Sequence, residues 1–252
     1  MLILFDVGNT AVTCGVYGNG RLIYSESMIY DNIPKFNKKC IDNGWLIDSN
    51  VIISSVVPNL TQFINRLFSQ KAKIWIAGKS LPVPLKHRYK TKKLGIDRIV
   101  NAYGALRIYK PPLLLIDYGT AATFDYISLK GIFEGGMIIP GPEIAFQALL
   151  KKAALLPKHM RLPQKASSFL GRNTLECMTS GILYGYASMT DGLIERFKKK
   201  FGSKIKVIAT GGFSTHLKPY LESVSTVDPL HTIKSLLILY KDHVSSRNKG
   251  LR

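Results

Sequence analysis

Apolar and polar positions along the chain switch between a strand-like and a helix-like period, and the switches mark out elements. Leu2–Phe5 is a short apolar run that ends at Asp6, which predicts a buried strand. Val7-Gly8-Asn9-Thr10 has turn chemistry, Ala11–Tyr17 reads as a second strand, Gly18-Asn19-Gly20 as a tight hairpin turn and Arg21–Ser25 as a third strand. Val51–Val57 predicts another strand, stopped by Pro58. Leu60, Phe63, Ile64, Leu67 and Phe68 then recur at helical spacing, so Asn59–Gln70 is expected to be a helix with one face turned inward. Lys73–Ala77 reads as a short strand, and Asp97–Tyr109 as a helix with Val100, Tyr103 and Leu106 on one side.

Pro111-Pro112 breaks that helix and the pattern begins again. Leu113–Ile116 is an apolar strand ending at Asp117, followed by a turn, a strand over Ala121–Ile127, a hairpin turn at Leu129-Lys130-Gly131 and a strand over Ile132–Ile139. Helices are expected at Glu143–Ala154, Thr174–Phe201 and Pro229–Ser245, with a strand at Ile205–Ala209 between the last two. Asp228 is placed to cap the final helix, with Pro229 at its first position. Asp6-Val-Gly-Asn-Thr-Ala and Asp117-Tyr-Gly-Thr-Ala-Ala have nearly the same form, and each closes one strand and opens a hairpin. The expectation is an α/β protein of two similar halves, residues 1–110 and 111–252, facing each other across a cleft.

Composition narrows the class. The chain has 252 residues, 46% hydrophobic and 20% charged, which is ordinary globular usage and excludes a disordered or fibrous protein. Its three cysteines, Cys14, Cys40 and Cys177, form no CxxC, which argues against a disulfide framework or zinc finger and for a reducing cytoplasm. The histidines show no metal-ligand spacing. Asp6 interrupts the apolar start too early for a signal peptide, and Leu236–Tyr240 is far short of the roughly 20 residues of a membrane span, so no membrane contact is expected. The net charge of +19 invites a nucleic-acid reading. Its residues are scattered in short clusters, Lys86–Lys93, Lys151–Lys152, Lys198–Lys206 and Arg247–Arg252, with no nucleic-acid motif beside them. A solvated basic surface without specific nucleic-acid binding is therefore expected.

A carboxylate at a strand end followed by a glycine turn and hydroxyls suits phosphate chemistry, because glycine lets backbone N–H groups approach phosphate oxygens. Asn9, Thr10 and Thr13 add donors, and Asp6 is a candidate ligand for Mg²⁺, directly or through water. One such turn is weak evidence, since Asp and Gly are ordinary turn residues; two at matching places in two halves make a phosphate site the expectation. There is no GxxxxGK[ST] and no GxGxxG after a strand, which excludes a P-loop and leaves a Rossmann dinucleotide site unsupported.

Six motifs occur in a fixed order: Asp6-x-Gly-Asn-Thr, Ser54-Ser-Val-Val-Pro58, Gly95-Ile-Asp-Arg98, Asp117-x-Gly-Thr-Ala-Ala-Thr123, Gly135-Gly-x-Ile-x-Pro-Gly141 and Thr210-Gly-Gly212. Together they resemble type III pantothenate kinases, members of the acetate and sugar kinase and actin-like ATPase superfamily. The resemblance implies a duplicated ribonuclease-H-like fold around an ATP cleft. It implies ATP and pantothenate as substrates, Mg²⁺ and a monovalent cation (K⁺ or NH₄⁺) as cofactors, and a homodimer whose subunits share the pantothenate site. By the same resemblance, Asp6, Val7, Gly8, Asn9, Thr10, Ala11, Val12 and Thr13 form a phosphate-binding turn for ATP, Thr120 is a further ATP contact, and Gly211 and Gly212 receive the base. Gly95, Ile96, Asp97 and Arg98 match the pantothenate motif, with Asp97 as general base and Arg98 pairing with a carboxylate or with phosphate charge; Thr174 matches a later pantothenate contact. Asp117 matches the ligand of the monovalent cation. Tyr89 is also assigned to pantothenate, although its stretch, Arg88-Tyr89-Lys90-Thr91-Lys92-Lys93, lacks the Asn-Pro pair usual in the family.

Plainer roles compete for some of these residues. Asp97 at a helix start is a common cap. Asp125 is expected to face solvent, Cys177 and Met178 to be core, and Gly135-Gly136 to serve close strand packing. Ile182, Leu183, Tyr184, Tyr186 and Met189 span a wide arc of the long helix, which predicts burial on more than one side and, with the resemblance, a dimer interface. Two other functions stand beside pantothenate phosphorylation: another small-molecule kinase of the same fold, or a non-catalytic regulatory or nucleic-acid-binding relative.

Overall fold

The computed structural model describes residues 1–91, 94–153 and 160–249. Lys92 and Lys93 of the first basic cluster, Ala154 at the end of the helix expected from Glu143, and residues 250–252 of the basic tail lie outside the described residues.

The chain forms two compact units, the second being Lys110–Pro229. The first runs β1 (Leu2–Val7), β2 (Val12–Gly18), β3 (Arg21–Met28), α1 (Ile33–Asp42), β4 (Ser49–Ser55), α2 (Pro58–Phe68), β5 (Ala72–Ile76) and α3 (Ile96–Ile108). The second runs β6 (Leu113–Tyr118), β7 (Ala121–Ile127), β8 (Phe133–Pro140), α4 (Pro142–Lys152), α5 (Thr174–Phe201), β9 (Lys206–Thr210), α6 (Ser214–Leu217) and β10 (Thr226–Val227). The last helix, α7 (His231–Lys249), returns to the first unit.

The two sheets have one topology. The first has the order β3-β2-β1-β4-β5 and the second β8-β7-β6-β9-β10. In each, the opening three strands form antiparallel hairpins, and the fourth and fifth add in parallel on the other side of the first. This repeated arrangement is the duplicated ribonuclease-H-like architecture expected from the sequence. The β2–β3 turn holds Asn19 at φ 52° and Gly20 at φ 79°, the left-handed pair that a two-residue hairpin requires.

Strand alternation divides the first unit into two cores. Ile3, Phe5 and Val7 point to one face, where Phe36 of α1 and Ile64 and Phe68 of α2 cover them. Leu4 points to the other, with Ile52, Val100 and Tyr103 of α3, and Ile233, Leu236 and Leu239 of α7. That apolar stripe explains why α7 leaves the half in which sequence order places it: its inward residues complete the core under α3. The expected second half, drawn to residue 252, therefore ends in the structure at Pro229. Asp242 adds polar anchors, accepting from Tyr103 Oη (2.6 Å) and pairing with Arg107 Nε (3.0 Å).

Further differences from the sequence reading are physical; α6, at four residues, is too short for a helical period to show. Helix α7 starts at His231, its first turn closed by Lys234 N–H donating to Leu230 O (3.0 Å), so Pro229 lies in the preceding turn. Helix α1 was not expected, though Ile33, Phe36 and Cys40 share a buried face. Strand β10 is two residues long, too short for any periodicity. Other bounds differ from expectation by a few residues at most, the usual uncertainty of element ends.

Helices α3 and α7 pack closely at Gly104, where a Cβ would collide with the Ser235 side chain and stand 2.7 Å from its Cα. Gly104→Ala must push the helices apart, and overpacking of this kind costs about 1–3 kcal/mol. Urea unfolding should show that loss; unchanged stability would mean that the α3–α7 contact is slack.

Candidate functional site

In the first unit Asp6 lies one residue from the end of β1, and β1 pairs with β2 on one side and β4 on the other. The following turn is closed by Gly8 N–H donating to Ala11 O (3.1 Å) and is pinned from outside by Tyr30 Oη donating to Gly8 O (2.8 Å). Burial raises the Tyr30 pKa, which keeps the phenol a donor. Asn9 and Thr10 are exposed at the tip, while Asp6, Gly8, Ala11 and Thr13 are half-buried. Val7 and Val12 are core residues, so only their backbone groups are open to a ligand.

Helix α3 covers the Leu4 and Ile52 face of this sheet, the face to which Asp6 also belongs by strand alternation. Its first residue, Ile96, sits against Gly78, where a Cβ would stand 2.8 Å from Ile96 Cδ1. Gly78 lies two residues beyond the end of β5, and β1, β4 and β5 are parallel. Asp6 and the first turn of α3 are therefore at the same carboxyl edge of the same sheet, the edge where open α/β sheets bind ligands. Asp97 is the second residue of α3, and Gly95, with φ −56°, is the N-cap. Asp97 Oδ1 accepts from Arg98 N–H at 2.8 Å. The carboxylate thus binds the helix N-terminus from inside the first turn rather than from the cap position expected in the plainer reading. Arg98 is buried, with its guanidinium 5.7 Å from the centre of the Tyr89 ring, a cation–π pairing that joins two of the predicted substrate residues.

In the second unit Asp117 occupies the matching place on β6, between β7 and β9. Gly119 N–H donates to Ala121 O (3.2 Å) and Gly141 N–H to Thr120 O (3.0 Å). Two glycines wrap this turn so tightly that neither tolerates a side chain. A Cβ on Gly141 would overlap Gly119 O and stand 2.7 Å from Thr120 O; one on Gly211 would overlap Asp117 Oδ1 and stand 2.7 Å from Tyr118 N. Gly211 also has φ +88°, a conformation that favours glycine. Gly212 beside it is exposed, with open space where a Cβ would be. Asp117, Thr120, Gly211 and Gly141 thus meet at one strand edge.

Thr174 is exposed in the first turn of α5, outside that cluster. Its helix start is built by Asn173 Oδ1 accepting from Glu176 N–H (3.0 Å) and Glu176 Oε2 accepting from Arg172 N–H (2.8 Å), so the cap and the residue before it are both tied to the first turn. Cys177, expected in the core, is exposed there, because the turn of helix that holds it faces the Gly171 backbone and solvent. Asp125, expected in solvent, is buried at 3% exposure and accepts from Thr123 Oγ1 (3.5 Å). It lies two residues along β7 from Thr123, on the face that also carries Asp117. The signal that could have found it is the register: Thr123 and Asp125 alternate with the core residues Ala122, Phe124 and Tyr126.

The sequence profile of the type III pantothenate kinase family matches residues 2–196. A type III pantothenate kinase of Citrifermentans bemidjiense is 35% identical over 254 residues, covering 96% of this chain and 99% of the relative. One from Geobacter sp. strain M21 is similar to the same extent, 35% over 254 residues with the same coverage. The solved structure of MreB5 of Spiroplasma citri, bound to ADP, shares the fold at 11% identity, with a TM-score of 0.54 over 98% of each chain.

The Gly95 position offers a test of how the Asp97 carboxylate is aimed. A Cβ on Gly95 would stand 2.5 Å from Asp97 Oδ1, and nothing else lies closer than 3.6 Å. Gly95→Ala should turn the carboxylate while leaving the backbone unstrained. Misplacement of a reacting group by about 1 Å costs up to about 10²-fold in rate, so kcat should fall at least several-fold with the melting temperature held. Equal losses of stability and rate would instead show a folding defect.

Proposed function

This chain belongs to the type III pantothenate kinase family, and we propose how its strand-end turns and the start of α3 carry that reaction. The reaction moves the γ-phosphoryl group of ATP to the primary hydroxyl of pantothenate, giving 4′-phosphopantothenate in the first step of coenzyme A biosynthesis. The observation that carries the assignment of roles is that Asp6 and Asp97 share the carboxyl edge of the first sheet.

On this reading the Asp6–Thr13 turn binds ATP phosphates through its backbone N–H groups and the exposed Asn9 and Thr10 side chains. The Gly211-Gly212 turn receives the base, where bare backbone leaves a flat surface, and Thr120 is a further nucleotide contact. Arg98 and Tyr89 bind pantothenate as a pair, Arg98 through the substrate's carboxylate. Thr174 contributes a hydroxyl from the first turn of α5. Asp97 accepts the proton of the attacking hydroxyl. Because Oδ1 is engaged by the Arg98 N–H, Oδ2 is the oxygen that takes it. The pantothenate oxygen then attacks phosphorus in line as the bond to ADP breaks, a process driven mainly by positioning and electrostatics.

The residues present fit a magnesium ion at Asp6. Among the described residues no three His, Cys, Asp or Glu side chains cluster, so an ion there would keep most of its ligands as water and phosphate oxygens, as Mg²⁺ usually does. They also fit a monovalent cation at Asp117, where the missing side chain of Gly211 leaves the carboxylate oxygen approachable. When bound, the two cations offset repulsion between carboxylates and phosphates.

The homodimer and a cytoplasmic location belong to the same reading. Within the unit, α5 already uses much of the arc that suggested an interface: Ile182 and Leu183 are buried, Tyr184 packs edge-on against Phe169 and Tyr220, and Tyr186 Oη donates to Pro140 O (2.8 Å). What supports an interface is the remainder, the exposed Gly181, Gly185 and Ser188 with Phe169 and Leu170 at 67% and 75% exposure. Light scattering at micromolar concentration should give the mass of a dimer; a monomer mass removes it. For location, the support is that no helix among the described residues is long and apolar enough to cross a membrane.

Asp97→Asn tests the catalytic role. Asparagine keeps the Oδ1 acceptor for the Arg98 N–H and loses only the basic oxygen, so the variant should fold. General base catalysis is worth about 10²–10⁴-fold, and kcat at saturating ATP and pantothenate should fall within or below that range, since little proton transfer precedes bond breaking in a loose transition state. An unchanged kcat in a folded variant would leave Asp97 a structural residue.

A further inference from the structure

The register of the two sheets repeats more than the carboxylates. In the first, Asp6 stands opposite Thr13 on one side and Ser54 on the other; in the second, Asp117 stands opposite Thr123 and Thr210. Directly opposed residues share a face, so each sheet carries a row of hydroxyl, carboxylate, hydroxyl across its central strand. The spacing in sequence differs, six residues from Asp117 to Thr123 and seven from Asp6 to Thr13, so only the ladders reveal the match.

The outer hydroxyls have protein partners. Thr13 Oγ1 donates to Ser27 Oγ (3.4 Å) and Thr123 Oγ1 to Asp125 Oδ2 (3.5 Å). The inner ones do not. Ser54 is 0% exposed and Thr210 1%, and among the described residues neither hydroxyl oxygen has a hydrogen-bond partner. The neighbouring Ser55 shows the usual solution, with its hydroxyl donating to Val57 O and accepting from Thr61. A buried hydroxyl left unmatched costs stability, and two of them at the same register position, each beside a strand-end carboxylate, point to one shared use.

We propose that Ser54 and Thr210 are ligand-binding residues. Each hydroxyl forms, with the carboxylate beside it, a two-oxygen seat for a hydrated cation that accompanies the nucleotide phosphates: Ser54 with Asp6 for the divalent ion, Thr210 with Asp117 for the monovalent one. A hydroxyl suits this place because it has two acceptor lone pairs for a cation and one proton to give a carboxylate or a bound water. The inference rests on the reading of Asp6 and Asp117 as the nucleotide-side carboxylates.

The test compares Ser54→Ala and Thr210→Val with wild type, in the full chain, by thermal melting without nucleotide and by calorimetric titration with a β,γ-imido ATP analogue. Both variants should melt at or above wild type, because an unmatched polar group has been removed. With Mg²⁺ present, Ser54→Ala should bind the analogue about ten- to a hundredfold more weakly, the worth of a hydrogen bond to a charged group, and should match wild type in EDTA. Thr210→Val should lose the difference in affinity that wild type shows between K⁺ and Na⁺. Ser54→Thr and Thr210→Ser keep the hydroxyl and should behave as wild type; if they bind as weakly as the deletions, the effect is packing and the proposal fails. Lowered melting with unchanged affinity would also overturn it, since the hydroxyls would then hold only structural water. Asp6→Asn and Asp117→Asn separate the two levels. If they bind normally, the reading of the carboxylates is wrong; if they bind weakly while the hydroxyl deletions bind like wild type, only the present proposal is wrong.

Discussion

Asp6 and Asp117 each stand on a strand hydrogen-bonded along both edges, and these double ladders hold the two strand-end carboxylates in place. A carboxylate on a free loop would be ordered only as ligand bound, at a cost in conformational entropy. Here the ordering is complete on folding. The ladders in turn cannot slip, because a shift of one residue would exchange Ile3, Phe5 and Val7 with the residues of the opposite face and empty both cores of the first unit. The hydrophobic effect therefore sets the position of the polar groups: burial fixes register, and register fixes which residues stand in line with the carboxylate.

The same topology is put to different use in the two units. Two residues beyond Thr13 on β2 stands Gly15, where a Cβ would be 2.7 Å from Ile233 Cγ2, so α7 lies directly on the strand. Two residues beyond Thr123 on β7 stands Asp125, a buried carboxylate. One copy of the fold has given this position to packing and the other to charge. The return of α7 to the first unit belongs with that difference, since its Ile233 needs a strand surface without side-chain bulk at that point.

Much of the fold is legible in the sequence because its signals are local. Gly18-Asn19-Gly20 declares its turn, Leu60 to Phe68 its helix, and the repeated Asp-x-Gly its two strand ends. What is not legible is whatever depends on pairing across distance. Nothing within the last helix says that its stripe completes a core whose other residues, Leu4, Ile52, Val100 and Tyr103 among them, lie far earlier in the chain. Asp125 looked like a solvent residue because alternation tells inside from outside only when one face is known to be wet, and here the second face is covered too. The motif Asp6-x-Gly-Asn-Thr is visible as letters, but Ser54 acquires meaning only when β4 is laid beside β1. Cys177 was misplaced for a related reason: periodicity marks it as helical but cannot say that its turn is the one facing the Gly171 backbone.

Groups assigned to the phosphoryl acceptor are held differently from those assigned to the nucleotide. Asp97 and Arg98 stand in the first turn of α3, Thr174 in the first turn of α5, and Tyr89 in the coil before α3. First turns carry unpaired N–H groups and the positive end of the helix dipole, which suits an acceptor that brings a carboxylate. The net charge of +19 acts on both, since ATP and pantothenate are anions and a positive field raises their encounter rate without distinguishing between them. On the proposed roles, selection among anions is left to the groups at the start of α3, where the bare Gly95 leaves space for Asp97 Oδ1 and the Arg98 N–H holds it, leaving Oδ2 for the reaction.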